Sequence, residues 1–462
     1  MPVGVFRRGN YYYLRFSVNT KPRVAAFLMG SFTAFMKPIE LKFCGSDYCA
    51  YLSLPPGKYL YRYVVDGEVV LDDGPVENGY NVLILNGGLP RHGAVGRFFN
   101  AIYEVFVDRF NCRRAGDLRD RLGGRLGDVR ARLSYIRSMG FDAIYLTPIF
   151  KAMSYHGYDV VDYLHVDEGL GGDREFTKLV REAHGLGIKI ILDLPIHHTG
   201  SEHPAFKMAM GNDPDYARWY YIYGDSYEIF PNAKKMPKLN VYFAGEWIKG
   251  VALHWLLRGV DAFRIDVGAG IPPWYLWDLR NFLRTPVIAE VWGDPFLWGH
   301  AVDGVMNYQV RDALVKFLSG ELSAEEFVRV LKRQLRTLPR YFLRNSWLFL
   351  GTHDTPRAMT LLGDINRVKA GLVFIYTWIG TPMVYYGDEV CMEGGEDPDN
   401  RRCMDWGSNC RGLRDFIIEL SRVRLNPRYV RAVGNSVIYG DEKREVMIRS
   451  DRGNVSFKII TK

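Results

Sequence analysis

From about residue 100 onward, short apolar and β-branched runs alternate with stretches of helical period, and that rhythm leaves few folds open. The runs are Ile102–Val107, Ala143–Thr147, Lys189–Leu194, Ala262–Asp266, Pro286–Glu290, Val302–Met306, Trp347–Gly351 and Met383–Tyr386. Amphipathic segments such as Val129–Met139, Glu175–Leu186 and Ala324–Leu335 lie between them. Eight strands in strict alternation with helices predict an α/β fold, a (β/α)8 TIM barrel, over residues 93–425. One connection breaks the rhythm: Pro195 to about Phe243 is too long for a plain loop, so an inserted domain after the third strand is expected at about 196–245. Residues 1–92 read as short strands at even spacing, separated by turn signals such as Pro55-Pro56-Gly57 and Asp66-Gly67, and predict an N-terminal β-sandwich. Its aromatic residues leave two readings open, a sugar-stacking face or sandwich core. Strand-like runs return at 426–462 as a short C-terminal β appendage.

Composition narrows the class. With 48% hydrophobic and 24% charged residues in 462, the chain is globular rather than disordered. The net charge is +8, but the basic residues are spread along the chain, which reads as solvated surface and predicts no nucleic-acid partner. Met1 to Val18 lacks a signal-peptide pattern, and apolar runs such as Gly371–Gly380 are too short to span a bilayer, so no membrane partner and a cytoplasmic location are expected. Six cysteines are scattered without CxxC spacing; Cys44/Cys49 and Cys403/Cys410 are each placed to clip a loop, unusual in a cytosol outside hyperthermophiles. Gln309 and Gln334 are the sole glutamines, which fits a thermophilic habitat.

Function in such barrels gathers where strands end at their carboxyl side. There the third strand carries Asp193 and then His197-His198, the fourth Arg264-Ile265-Asp266, the fifth Glu290, and His353-Asp354 follows the seventh. Charged side chains in strands buried on both faces are expensive unless paired. The set offers carboxylates, an arginine and histidines converging on one cavity, with no serine or cysteine nucleophile. Two carboxyls facing one bond, one as acid and one as nucleophile, suit glycoside cleavage. Arg264 and Asp266, two apart on one strand face, pair the nucleophile with a cation that keeps it ionised.

The same segments resemble, in order, the signatures of the α-amylase family of glycoside hydrolases: Leu192–His198, Gly259–Asp266, Glu290-Val291-Trp292 and Phe349–Asp354. Met236-Pro237-Lys238-Leu239-Asn240 is similar to the stretch marking the neopullulanase, cyclomaltodextrinase and maltogenic amylase branch. Tyr145–Phe150, His156–Asp159, Gly380–Pro382 with Tyr386–Glu389, and Asp397-Pro398 with Arg401-Arg402 add to the likeness, which covers roughly residues 100–425. Pro56–Tyr59 and Val65–Gly67 separately resemble glycogen-binding-like sandwiches attached to such enzymes.

The resemblance implies Asp266 as nucleophile, Glu290 as acid and then base, and Asp354 as the residue that helps distort the ring. It implies Arg264, His198, His353, Tyr158, His156, Asp193 and Trp292 as substrate-binding, Asp193 either contacting sugar or holding its loop. The expected substrate is an α-glucan (maltodextrins, cyclodextrins, pullulan or starch), cleaved at α-1,4 bonds with retention, with α-1,6 cleavage and transglycosylation left open. The alternatives are an endo-acting α-amylase or debranching enzyme, or a non-catalytic glucan-binding protein; homodimerisation is also open. No cofactor is required. Calcium, frequent in the branch, is not supported here: His197 replaces the usual asparagine, the loop after the first strand reads Asn111-Cys112-Arg113-Arg114, and Arg125 stands where an acidic residue is common. Metal binding by His197, His198 and His203 lacks a carboxylate at convincing spacing. Small residues Val267–Gly270 follow the nucleophile where relatives carry polar side chains, implying a wider acceptor side.

Overall fold

A computed structural model describes residues 3–85, 97–231, 233–410 and 412–461, so the domain boundary expected at 92/93 lies outside the described residues. The chain divides into two compact units.

The larger unit (96–195, 258–273 and 285–462) contains a closed barrel of eight parallel strands in sequence order. These are β1 (Ile102–Val105), β2 (Ala143–Leu146), β3 (Lys189–Leu194), β4 (Ala262–Ile265), β5 (Val287–Val291), β6 (Gly304–Asn307), β7 (Trp347–Leu348) and β8 (Thr381–Tyr385). β8 pairs back onto β1 with Ile102 opposite Met383. The pleat explains the sequence pattern. Ile102, Tyr145, Ile191, Ala262, Ile288, Met306, Trp347 and Met383 fill the interior. Two positions on, the same faces of β1, β3, β4 and β5 carry Glu104, Asp193, Arg264 and Glu290, so a charged layer caps an apolar one at the carboxyl end. β7 is shorter than expected because the chain leaves the ladder after Leu348, and the helix expected over Val129–Met139 is broken at Arg132 into Leu126–Ala131 and Leu133–Ser138. The chain turns into β4 through Gly259 at φ +95°, where a Cβ would stand 2.6 Å from Val180. The C-terminal sheet has four antiparallel strands, one more than expected, beginning with Tyr429–Val433.

The smaller unit comprises residues 1–95, 196–257 and 274–284. Its two antiparallel sheets enclose Leu14, Phe16, Leu28, Tyr61, Tyr63 and Leu83, so these rings are sandwich core. On the other face of the first sheet, the Tyr13 and Tyr51 rings lie 5.6 and 5.9 Å from Phe282 of the helix Pro273–Leu283. The Ser53 hydroxyl donates to the Asn281 carbonyl at 3.2 Å, and Glu246, on the helix Val241–Leu257, accepts the Tyr51 amide at 2.7 Å. Segment 196–240 folds as two short helices and two small hairpins. Asp215 ties it to the sandwich, accepting from Tyr48 and Lys21 at 2.7 Å each.

Disulfides join Cys44 to Cys49, Cys112 to Cys403 and Cys391 to Cys410, which corrects the expected Cys403/Cys410 clip. Closure of the barrel brings the segment after β8 beside the loop after β1, where the Met404 amide donates to the Arg109 carbonyl at 2.9 Å and leaves Cys403 facing Cys112. Cys410 instead lies beside the turn after β8, the Ser408 hydroxyl donating to the Val390 carbonyl at 3.2 Å.

Candidate active site

The charged layer is organised around one fully buried guanidinium. Arg264 Nη1 lies 2.9 Å from both oxygens of Asp193 and 2.7 Å from Asp266 Oδ1. Its Nη2 lies 3.0 Å from Glu290 Oε2 and 3.8 Å from Asp354 Oδ2. The three expected catalytic carboxyls therefore converge on one cation. Burial raises the Asp266 carboxyl well above the usual carboxylate range; Arg264 opposes this, and the charges of Glu290, Asp193 and Asp354 add to it. One guanidinium thus serves four carboxyls.

Asp193 is fully buried. Besides Arg264, it accepts from Tyr145 at 2.6 Å and Tyr158 at 2.9 Å, so it holds Arg264 and leaves no exposed oxygen for a sugar. His353 is equally enclosed: Nδ1 meets Glu104 Oε1 at 2.5 Å, and Nε2 faces the Tyr158 hydroxyl and lies 3.0 Å from Asp354 Oδ2. Burial alone would depress this imidazole, but Asp354 and Glu104 on either side overcome it and push it up to about 10. In return, against its burial, Asp354 is held well below its usual range by His353, Arg401 and Arg264. Both ring nitrogens of His353 have partners within the protein.

His156 and Tyr158 form a stack with His353, with centroids 5.8 and 5.7 Å apart. His156 Nδ1 accepts the Tyr158 amide at 3.1 Å while Nε2 meets the Ser154 hydroxyl at 2.8 Å, and burial lowers the imidazole below its ordinary value, so it is neutral. Trp292 donates its indole N–H to Glu290 Oε1 at 2.7 Å and stacks on Tyr308 at 3.8 Å, yet remains 48% exposed. His198 belongs to the smaller unit, where its ring is buried against Phe230 and its Nδ1 lies 3.2 Å from that of His197.

Sequence reasoning missed three groups. Glu104 carried the same signal as the others, a lone carboxylate inside the apolar run of β1. Arg401, noted only as part of a motif, reaches Asp354 Oδ1 at 3.2 Å and the His353 carbonyl at 2.8 Å. Val267 is a backbone contribution: at φ 47° and ψ 40°, rare for a β-branched residue, its amide donates to Glu290 Oε2 at 2.7 Å. The next residue must be small, because a Cβ on Gly268 would lie 2.7 Å from that of Ala289.

The loop after β1 does not suit calcium. Asp128, on the helix that follows it, accepts from Asn111 at 2.9 Å, from both Arg113 amino groups at 2.7 and 2.8 Å, and from the Arg125 amide at 2.8 Å. Arg113 also takes the Gly123 carbonyl at 2.6 Å, so a guanidinium already claims these oxygens. Among the described residues no group of three or more His, Cys, Asp or Glu side chains is arranged to hold a metal ion, and no helix is long and apolar enough to cross a membrane.

An eight-stranded barrel with paired carboxyls around one arginine at its carboxyl end defines the architecture of a barrel glycosidase. Residues 104–249 and 224–457 match the family described as "Alpha amylase, catalytic domain", and the chain belongs to the α-amylase family. Residues 11–81 match "Glycogen recognition site of AMP-activated protein kinase". Neopullulanase 2 of Thermoactinomyces vulgaris is 34% identical over 362 residues, covering 70% of this chain and 62% of that protein. A cyclomaltodextrinase of Geobacillus thermopakistaniensis is 32% identical over 363 residues, covering 73% and 62%. The chain thus spans about three-fifths of the length of these curated relatives. Among solved structures, cyclic alpha-maltosyl-(1-->6)-maltose hydrolase from Arthrobacter globiformis, in complex with maltose, aligns with a TM-score of 0.73 at 26% identity, covering 79% of this chain and 99% of that one.

Proposed function

We propose that the chain is a retaining α-glucan hydrolase that cleaves α-1,4-glucosidic bonds in maltodextrins, cyclodextrins or pullulan. The observation that carries this reading is the sharing of one buried guanidinium by Asp266 and Glu290, which makes the two carboxyls face the same small volume. In this reading Glu290 gives its proton to the glycosidic oxygen as the C1–O bond breaks. Asp266 adds to C1 from the other face, forming a covalent glycosyl-enzyme through an oxocarbenium-like transition state. Glu290 then takes a proton from water, whose oxygen displaces Asp266 and restores the original anomer. Asp354, kept anionic between His353 and Arg401, is the remaining carboxylate available to hold sugar hydroxyls. The relatives named as neopullulanase and cyclomaltodextrinase support the substrate class. The small residues at 267–270 support a roomy acceptor side, on which transfer to a second sugar competes with water.

The test is product analysis on cyclodextrin, pullulan and starch, with the anomer followed by NMR. The α-anomer forms first, and Asp266→Asn lowers kcat by on the order of 10⁴-fold or more. The β-anomer as first product, or an active Asp266→Asn, overturns the mechanism. Attack on starch alone, from within the chain, assigns an endo-acting amylase instead.

A further inference from the structure

The basic residues that look dispersed in sequence gather in space on the larger unit. A groove of about 560 Å³ lies between the helix Ala324–Thr337 and the strand Tyr429–Val433. Arg329, Lys332, Arg333 and Arg336, at i, i+3, i+4 and i+7, present one exposed face of the helix to it, and Arg431 faces them from the strand. Arg333 is engaged with Asp294, and Arg431 lies 3.7 Å from Glu445. Arg329, Lys332 and Arg336 form no hydrogen bond or ion pair among the described residues. Glu326, whose charge Arg329 influences, is committed to Ser323 at the helix start, accepting from its amide at 2.9 Å and its hydroxyl at 2.8 Å. The sole acid lining the groove is Glu325.

Like charges three and four residues apart on a helix repel one another. Here four such pairs occur on one face, eased in the last turn by the helix dipole and at Arg333 by Asp294, while Arg329, Lys332 and Arg336 have no ion-pair partner among the described residues. Counter-charge from a ligand removes that repulsion. No aromatic ring lines the groove, so a nucleobase finds nothing to stack on, and its apolar lining is limited to side chains such as Val328 and Ala432. We infer that this groove binds a ligand carrying several phosphate groups on a flexible frame, with Arg329, Lys332 and Arg336 as the principal contacts. Inorganic polyphosphate and multiply phosphorylated sugars share that chemistry.

Isothermal titration of the full chain with inorganic tripolyphosphate at low salt tests the assignment. Saturable binding at one site is expected, weakened roughly tenfold or more in the triple variant Arg329→Gln/Lys332→Gln/Arg336→Gln and by added salt. The charge-matched variant Arg114→Gln/Arg119→Gln/Arg174→Gln, with a melting temperature near that of the groove variant, retains wild-type affinity. A phosphorylated maltodextrin arm separates the two sources: tighter binding than tripolyphosphate names the sugar, weaker binding the inorganic chain. The inference is overturned by absence of saturable binding, by equal weakening in both variants, or by tighter binding of a single-stranded oligonucleotide through the same three residues.

Discussion

Glu104→Gln isolates the least obvious charge of the site. The substitution keeps an oxygen facing His353 Nδ1 and removes the negative charge 2.5 Å away. An opposite charge at such range shifts a partner by roughly 1–3 pH units, or about 1.4–4 kcal/mol. His353, pushed up to about 10 in the wild type, should therefore titrate lower in the variant. A histidine raised above its unfolded value contributes stability that is complete below about pH 6.5 and is lost as pH rises through the folded value. The variant is thus less stable than wild type at pH 6–7, and the gap closes toward pH 10. Asp388 complicates the window: burial, with help from Glu389 and Glu104 and against Arg357, pushes its carboxyl up to about 7. Repeating the measurement in a His353→Asn background removes the histidine contribution and leaves that of Asp388. The assay is chemical denaturation from pH 6 to 10 in all four proteins. A wild-type-to-variant gap that stays flat with pH, or that is the same in both backgrounds, refutes the charge coupling.

Trp292→Phe keeps a ring on Tyr308 but removes the indole N–H from Glu290; losing one such bond, on the order of 1–2 kcal/mol, should lower kcat about 5–30-fold at unchanged melting temperature. Chelation with EDTA should leave the melting temperature in place, whereas Arg113→Ala lowers stability by about 1 kcal/mol, since this pair is partly exposed; a calcium-dependent melting temperature that mutation of this loop abolishes would contradict the reading of the loop. Cys112→Ser with Cys403→Ser opens a link across 291 residues and should cost roughly 3–5 kcal/mol, measured by denaturant unfolding against the Cys44→Ser/Cys49→Ser pair, which closes 5 residues.

The barrel was legible because strands buried on both faces leave apolar runs, against which Asp193, Arg264, Asp266 and Glu290 stand out. Glu104 obeyed the same rule, yet no recognised signature flagged it. The run Trp347–Gly351 continues its apolar pattern past the point where hydrogen bonding stops, so pattern alone overstated β7. Tyr429–Val433 hid because an edge strand carries a charge, Arg431, within its run. Other features are invisible in one dimension. Cys112 meets Cys403 because β8 closes on β1, the left-handed turn of Val267 is set by its surroundings, and the basic groove needs a helix and a distant strand side by side.

The contact of Tyr13 and Tyr51 with Phe282 has a bearing on how such a protein can be rearranged. A graft that swapped the first eighty-odd residues for those of a relative would have to bring along matching positions at 246 and 282, or else leave a greasy scar at Phe282 and a carboxylate without its amide at Glu246. Modular in outline, the N-terminal piece is bespoke at its seam.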